Sequence, residues 1–250
     1  MSERTSYRPG TFSWADLTTT DVDAARRFYT ELHGWEYRDI PTPGGTVYAM
    51  ATKDGRDVAA LSESQEQPPH WNNYVTVESV DDAARRAEEL GGTIVQPPFD
   101  VMTAGRMAVV QDPTGAMLCV WEPRDNIGAK LVNADGALAW NDLTTNDLER
   151  AQSFYAEWMG WRMEEIPNAG GYHVIRNGER SNGGMIEEGD IPPNWMPYFG
   201  TADLEASIAL VERLGGKKVF GPQPVPSGAF AVVADPQGAI SGILSAEYDD

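Results

Sequence analysis

The chain is poor in cysteine, histidine and positive charge, and each shortage excludes something. With one cysteine, Cys119, in 250 residues no intrachain disulfide can form, which fits a reducing compartment. Three histidines, His33, His70 and His173, are too few and too scattered for a histidine-rich metal centre. Lysine and arginine total 19 against 38 acidic residues, a net charge of −19. Such a surface repels phosphate backbones and anionic lipid, so neither nucleic acid nor a membrane is expected as a partner, while a cationic small molecule is attracted. No apolar run approaches the ~20 residues a membrane-spanning helix needs. The opening Met1-Ser2-Glu3-Arg4-Thr5-Ser6-Tyr7 carries no apolar core of a signal peptide, so a cytoplasmic location is expected. A dinucleotide-binding Gly-x-Gly-x-x-Gly with its following acid, a Walker loop and a Gly-x-Ser-x-Gly elbow are all absent.

What the chain does have is a repeat. Trp14-Ala15-Asp16-Leu17-Thr18-Thr19-Thr20-Asp21, running on to Phe28-Tyr29 and Gly34-Trp35, recurs without a gap as Trp140-Asn141-Asp142-Leu143-Thr144-Thr145-Asn146-Asp147, with Phe154-Tyr155 and Gly160-Trp161. The period is half the chain, far too long for a solenoid unit. Two copies of one domain follow, at residues 8–124 and 137–247, joined by a linker at 125–136. Each has about 115 residues, enough to bury a core without disulfides or metal.

Within each copy the pattern predicts two βαβββ units, four in all, an α+β fold. In Phe12–Thr18, alternation puts Phe12, Trp14, Asp16 and Thr18 on one face of a strand. Asp21 then caps a helix with Val22, Ala25, Phe28/Tyr29 and Leu32 inward, and Gly34 ends it. Strands follow at Glu36–Ile40, Thr46–Thr52 and Val58–Leu61, set off by Pro41-Thr42-Pro43-Gly44-Gly45 and Lys53-Asp54-Gly55. After a Pro68-Pro69-His70-Trp71 loop come a strand at Asn72–Val77, a helix capped by Ser79, and strands at Thr93–Gln96, Arg106–Gln111 and Ala116–Trp121. Asp112-Pro113-Thr114-Gly115 forms a tight turn. The second copy retraces this through Asp147, Pro192-Pro193-Asn194-Trp195, Asp203 and Asp235-Pro236-Gln237-Gly238.

The D-L-x-T-x-D opening, the Phe-Tyr and Gly-Trp pairs, the helix ending in Leu-Gly-Gly and the Asp-Pro-x-Gly-Ala turn together resemble the vicinal oxygen chelate superfamily. That group includes glyoxalases, bleomycin-resistance proteins and extradiol dioxygenases, and the likeness is strongest to two-domain actinobacterial members. It implies that two βαβββ units pair into one cupped mixed sheet with the helices outside, the cup holding the ligand. Metal-dependent members place ligands on the first, fifth and last strands. By spacing these positions are Trp14, near Asn72, and Cys119 in the first domain, and Trp140, near Met196, and Gly242 in the second. None is histidine or glutamate, and a divalent ion needs about three N, O or S ligands. No metal and no cofactor are therefore expected.

Asp16 and Asp142 are the candidate chemical groups, each on the face of Trp14 or Trp140. A half-buried carboxylate there could act as a general base or pair with a ligand ammonium held against the indole. It could equally tie down the following turn through backbone N–H groups. Tyr74 and Tyr198, with Trp71 and Trp195 at the mouth and Asn72 beside them, would wall an aromatic pocket for a planar ligand, or else pack as core. Phe28-Tyr29 and Phe154-Tyr155 read as core. His33 is expected to be exposed at its helix end. His70 or His173 remains open as a lone acid or base, and Cys119 reads as a small buried hydrophobe.

Three functions follow. One is a metal-free binder of a hydrophobic, planar or cationic small molecule, such as an antibiotic or polyketide-like metabolite. Another is a lyase or isomerase with Asp16 or Asp142 as base. The third is a glyoxalase- or dioxygenase-type metalloenzyme with unusual ligands, such as His173 and a nearby Glu. The chain is expected to work as a monomer, an internal pseudo-dimer, or as a homodimer.

Overall fold

The computed structural model describes residues 2–43 and 45–247, so Gly44 of the Pro41–Gly45 turn and Met1 of the opening lie outside it. The first domain contains β2 (Phe12–Thr19), α1 (Val22–His33), β3 (Glu36–Pro41), β4 (Val47–Lys53) and β5 (Arg56–Glu63), then β6 (His70–Thr76), α2 (Val80–Glu89), β7 (Thr93–Val101), β8 (Gly105–Gln111) and β9 (Met117–Pro123). The second has β11 (Leu138–Thr145), α3 (Leu148–Met159), β12 (Arg162–Glu165), β13 (His173–Asn177) and β14 (Arg180–Glu187), then β15 (Asn194–Gly200), α4 (Leu204–Arg213), β16 (Lys217–Val225), β17 (Gly228–Ala234) and β18 (Ile240–Ala246). Two short strands, β1 (Ser2–Glu3) and β10 (Leu131–Val132), lie outside this scheme.

Capping starts and stops the helices where the sequence says. Asp21 and Asp147 accept from the backbone N–H three residues on, and Gly34 and Gly160 end α1 and α3 in the left-handed conformation, each at φ 70°. A non-glycine residue there would carry a steric penalty at Cβ.

Each domain is one sheet. The first runs β3-β4-β5-β2-β6-β9-β8-β7 and the second β12-β13-β14-β11-β15-β18-β17-β16, with β1 and β10 appended beyond β11. In both, the first strands of the two units pair antiparallel at the centre (β2 with β6, β11 with β15), and each pairs in parallel with the last strand of its own unit. The helices lie on the convex side and face the other domain. Buried Ala25, Phe28 and Tyr29 of α1 share one core with Leu204, Ile208 and Val211 of α4. Ala84 and Ala87 of α2 share another with Ala151, Phe154 and Tyr155 of α3. The two cups therefore open away from each other.

Three expectations are revised. The bounds 8–124 and 137–247 leave out β1 and β10, yet these two pair with each other and β10 joins the second domain's sheet through β11. Phe12 does not share a face with Trp14: an irregularity at Ser13 shifts the register between Phe12 and Trp14, and Phe12 packs instead on Trp195 and Trp161 at 4.9 and 5.5 Å. His33 is buried, 4% exposed, with Tyr29, Trp35 and Phe199 around its ring. Among the described residues no helix is long and apolar enough to cross a membrane.

Candidate functional site: two cups floored by a carboxylate

Across the middle of the first sheet, Trp14 lies opposite Tyr74 and Tyr74 beside Cys119. In the second the same row is Trp140, Tyr198 and Gly242. Pairing thus puts Tyr74 and Tyr198, two residues beyond Asn72 and Met196, at the middle position of the implied metal row. A phenol between two indole, thiol or glycine positions is a poor donor set for a divalent ion. Among the described residues no three His, Cys, Asp or Glu side chains cluster to hold one.

Two residue pairs along, on the same face, Asp16 lies opposite Asn72 and Asp142 opposite Met196. Neither carboxyl ties down a turn; both are held by side chains. Asp16 Oδ2 accepts from Tyr48 OH (2.8 Å) and Tyr74 OH (2.9 Å), and its Oδ1 from Asn72 Nδ2 (2.9 Å). Trp14 Nε1 in turn donates to Tyr48 OH at 2.9 Å. Asp142 Oδ1 accepts from Tyr172 OH (2.7 Å) and Trp140 Nε1 (2.8 Å), and the indole is shared with Tyr172 OH (2.8 Å). Burial raises both carboxyls above their ordinary range, opposed by these donors and, at Asp142, by Tyr198. The same burial, with the carboxylate beside them, pushes the four tyrosines up.

Tyr48 and Tyr172 are the site residues that sequence reading missed. Tyr48 is the second residue of β4 and Tyr172 the residue before β13, and the second copy is two residues shorter between its Trp-x-Asp and this tyrosine, so the ungapped repeat does not align them.

The cups are not equivalent. In the first the floor is closed: Trp14, Asp16 and Cys119 are 4%, 5% and 3% exposed. Residues after β9 seal its edge, where Trp121 Nε1 donates to Asn126 O (2.9 Å) and Tyr7 OH to Ala129 O (2.6 Å). In the second, Trp140, Asp142 and Tyr172 are each only half-buried. Glycines explain this. A Cβ at Gly242 would overlap the Tyr198 ring, and one at Gly184 would overlap the Tyr172 hydroxyl. Both tyrosines sink into space that Cys119 and Ala60 fill in the first cup.

Trp71 and Trp195 do not stand at the cup mouths. Alternation along β6 and β15 turns them to the convex side, opposite Tyr74 and Tyr198. Trp71 packs on Phe199 at 4.9 Å, and Trp195 Nε1 donates to Tyr155 OH at 2.8 Å. His173 lies opposite Met185, on the face away from Asp142, with Nδ1 2.8 Å from Gly171 O. His70 lies opposite Thr18 on the Asp16 face, its Nδ1 2.8 Å from Pro68 O, and its charge favours the ionised Asp16. Phe28, Tyr29, Phe154 and Tyr155 are buried, as expected of core residues. Two surface depressions, of about 160 and 380 Å³, flank α3 and lie away from both cups.

Paired βαβββ units, with a cupped sheet in each half of the chain, define a tandem glyoxalase-like architecture. The chain belongs to the Glyoxalase/Bleomycin resistance protein/Dioxygenase superfamily, whose model matches residues 11–120. A putative glyoxylase, CFP32, of Mycobacterium tuberculosis is 41% identical, covering 98% of each chain. The anthracycline biosynthesis protein DauV of Streptomyces sp. is 30% identical, covering 94% of this chain and 93% of its own. Among solved structures, the Mn(II)-bound glyoxalase of Novosphingobium aromaticivorans matches in fold with a TM-score of 0.70 at 16% identity, over 95% of this chain and 82% of its own.

Proposed function

We propose that this chain binds a planar, largely apolar small molecule on the concave side of its sheets, without a metal at the superfamily's ligand positions. One observation carries the reading: the rows Trp14–Tyr74–Cys119 and Trp140–Tyr198–Gly242 put aromatic rings where metal-dependent members put ligands. Indole and phenol faces stack on planar ligands, and a carboxylate beside them takes up a ligand's donor group. Likeness to proteins named for anthracycline biosynthesis supports a polycyclic aromatic metabolite as the class of ligand. The field of the −19 chain favours one carrying positive charge. On this reading the protein acts in the cytoplasm as a monomer or homodimer.

A second reading, a lyase or isomerase with a carboxylate base, is favoured by the raised carboxyls of Asp16 and Asp142. The deciding experiment is elemental mass spectrometry of protein purified without chelator and dialysed against Mn, Fe, Ni and Zn in turn. Sub-stoichiometric metal after each dialysis is expected. Near-stoichiometric retention of any of them would overturn the metal-free reading.

A further inference from the structure

We propose that the second cup, and not the first, is the ligand site, and that Asp142 and Trp140 there grip a planar aromatic cation by its ring-bound N–H donors. The inference rests on the binding reading above and assigns its place.

The two floors share a plan and differ in access. Asp16 has both oxygens engaged by three donors and is covered, so a ligand reaching it would first have to break bonds among Tyr48, Tyr74 and Asn72. Displacing buried partners without replacing them is costly. Asp142 is arranged otherwise. Its two close hydrogen bonds, from Tyr172 and Trp140, both fall on Oδ1, and Tyr198 is a further partner of the carboxyl. Met196 stands opposite where the first cup has the amide of Asn72, so no side-chain amide is available to the other oxygen from that strand. Asp142 is half-buried where Asp16 is covered.

The walls agree. Tyr198 and Tyr172 lean into the space left by Gly242 and Gly184, where the first cup has Cys119 and Ala60. The Trp140 indole, fixed by its Nε1 bond to Asp142, is half-buried and leaves part of its surface for stacking. On the same sheet, Phe220 of the edge strand β16 and Ile240 at the start of β18 are about half exposed, at 52% and 48%. Strand register puts both on the Trp140 side: Phe220 pairs with Val232, Val232 with Gly242, and Ile240 is two residues from Gly242. A half-buried carboxylate with fewer close donors than Asp16, beside an indole and an apolar wall, suits a flat ring system whose edge donates to the carboxylate.

The test uses proflavine, a flat aromatic cation with amino donors, titrated into the full chain at 0.15 M salt and followed by its absorbance and by fluorescence anisotropy. Asp142→Asn and Asp16→Asn remove the same unit of charge from the same acidic protein, so each controls for attraction by the overall field. Asp142→Asn is expected to weaken binding at least ~10-fold, and Asp16→Asn to change it less than about twofold. Trp140→Phe, which keeps a ring and loses the Nε1 donor, is expected to fall between them. Circular dichroism and the unfolding midpoint of each variant establish that it is folded; if Asp142→Asn does not fold, Trp140→Phe against Trp14→Phe makes the same comparison. Binding lost on Asp16→Asn and kept on Asp142→Asn would overturn this assignment and leave the binding function standing. Equal weakening by both would also overturn it. No saturable binding of proflavine by the unaltered chain would overturn both.

Discussion

The hydroxyl of Tyr29, on α1 of the first domain, donates a 3.1 Å hydrogen bond to Oδ2 of Asp235 in the second. The reciprocal bond runs from Tyr155 on α3 to Oδ2 of Asp112, at 2.9 Å. Each aspartate spends its other oxygen on its own Asp-Pro-x-Gly turn, accepting three backbone N–H groups. Two motifs that recur in sequence are thus joined across the domain interface, helix tyrosine to turn aspartate, in both directions. Trp35 Nε1 to Gly136 O and Trp161 Nε1 to Gly10 O, both 2.7 Å, repeat the exchange with the segments that lead into each domain.

Removing these hydroxyls should loosen the interface. Tyr29→Phe leaves a buried Asp235 oxygen without its donor and is expected to cost about 1–3 kcal/mol. Tyr155→Phe also takes the acceptor from Trp195 Nε1. Urea unfolding of the two single variants and the double variant checks this. The two sites involve different residues, so their costs should add to within about 0.5 kcal/mol. Unchanged midpoints would mean that the contacts carry no stability.

His33 should make the protein acid-sensitive. Burial among Tyr29, Trp35 and Phe199, and then the charge of Lys53, push its imidazole from the ordinary 6.5 to about 3. The folded state holds it neutral while the unfolded chain takes up the proton. Its contribution is therefore complete above pH 6.5 and is lost as pH falls from there toward 3, at up to about 1.4 kcal/mol per pH unit. Asp16 and Asp142, raised in the folded state, act with the opposite sign: they take up protons on acidification and favour the fold. Comparison with His33→Phe isolates the histidine. The variant should show a shallower loss of unfolding free energy between pH 6.5 and 4 in urea titrations, and parallel curves would refute the assignment.

Gly184 and Gly242 are needed for room. Exchanging a strand glycine for alanine ordinarily stabilises by about 0.5–1 kcal/mol. Here the new methyl group meets the Tyr172 hydroxyl at Gly184 and the Tyr198 ring at Gly242. Gly184→Ala and Gly242→Ala are therefore expected to destabilise by about 1–3 kcal/mol, read as a lowered Tm. A raised Tm for either would show that the tyrosine moves aside freely.

Trp195 and Trp140 should separate stability from binding. Trp195→Phe removes an indole that donates to Tyr155 OH and packs on Phe12. It is expected to lower stability by about 1–3 kcal/mol while leaving proflavine affinity within about twofold. Trp140→Phe should weaken proflavine binding and remove most of the ligand-induced quenching of protein fluorescence. The opposite pattern would return Trp195 to the ligand site.

Local signals carried the elements well. Asp21, Ser79, Asp147 and Asp203 each cap the helix that follows them, because a short polar side chain two or three residues before the first free N–H groups satisfies them in any tertiary setting. The faces of β6 and β15 were harder. Trp71 and Tyr74 are both large aromatics on one strand, and composition does not say which belongs in a cup and which in the interface. Strand parity separates them once the register with β2 is known. Phe12 escaped even parity, since one irregular residue at Ser13 reverses its face. His33 looked like an ordinary helix-end histidine because Phe199, which covers it, lies in the other domain.

The sequence by itself determined that two copies of one α+β domain occur in tandem, since caps, turns and alternation act over a few residues and recur at matching positions. It also determined that the superfamily's metal positions hold no histidine or glutamate. Only the tertiary structure decided what the carboxylates meet. Asp16 and Asp142 stand in the same local motif, yet the tyrosines that donate to them lie 30 to 58 residues away. There Asn72, Ala60 and Cys119 face Met196, Gly184 and Gly242 in the corresponding places. Whether a carboxyl is covered or half-buried depends on the volume of side chains brought beside it by sheet pairing, and no local pattern records that volume.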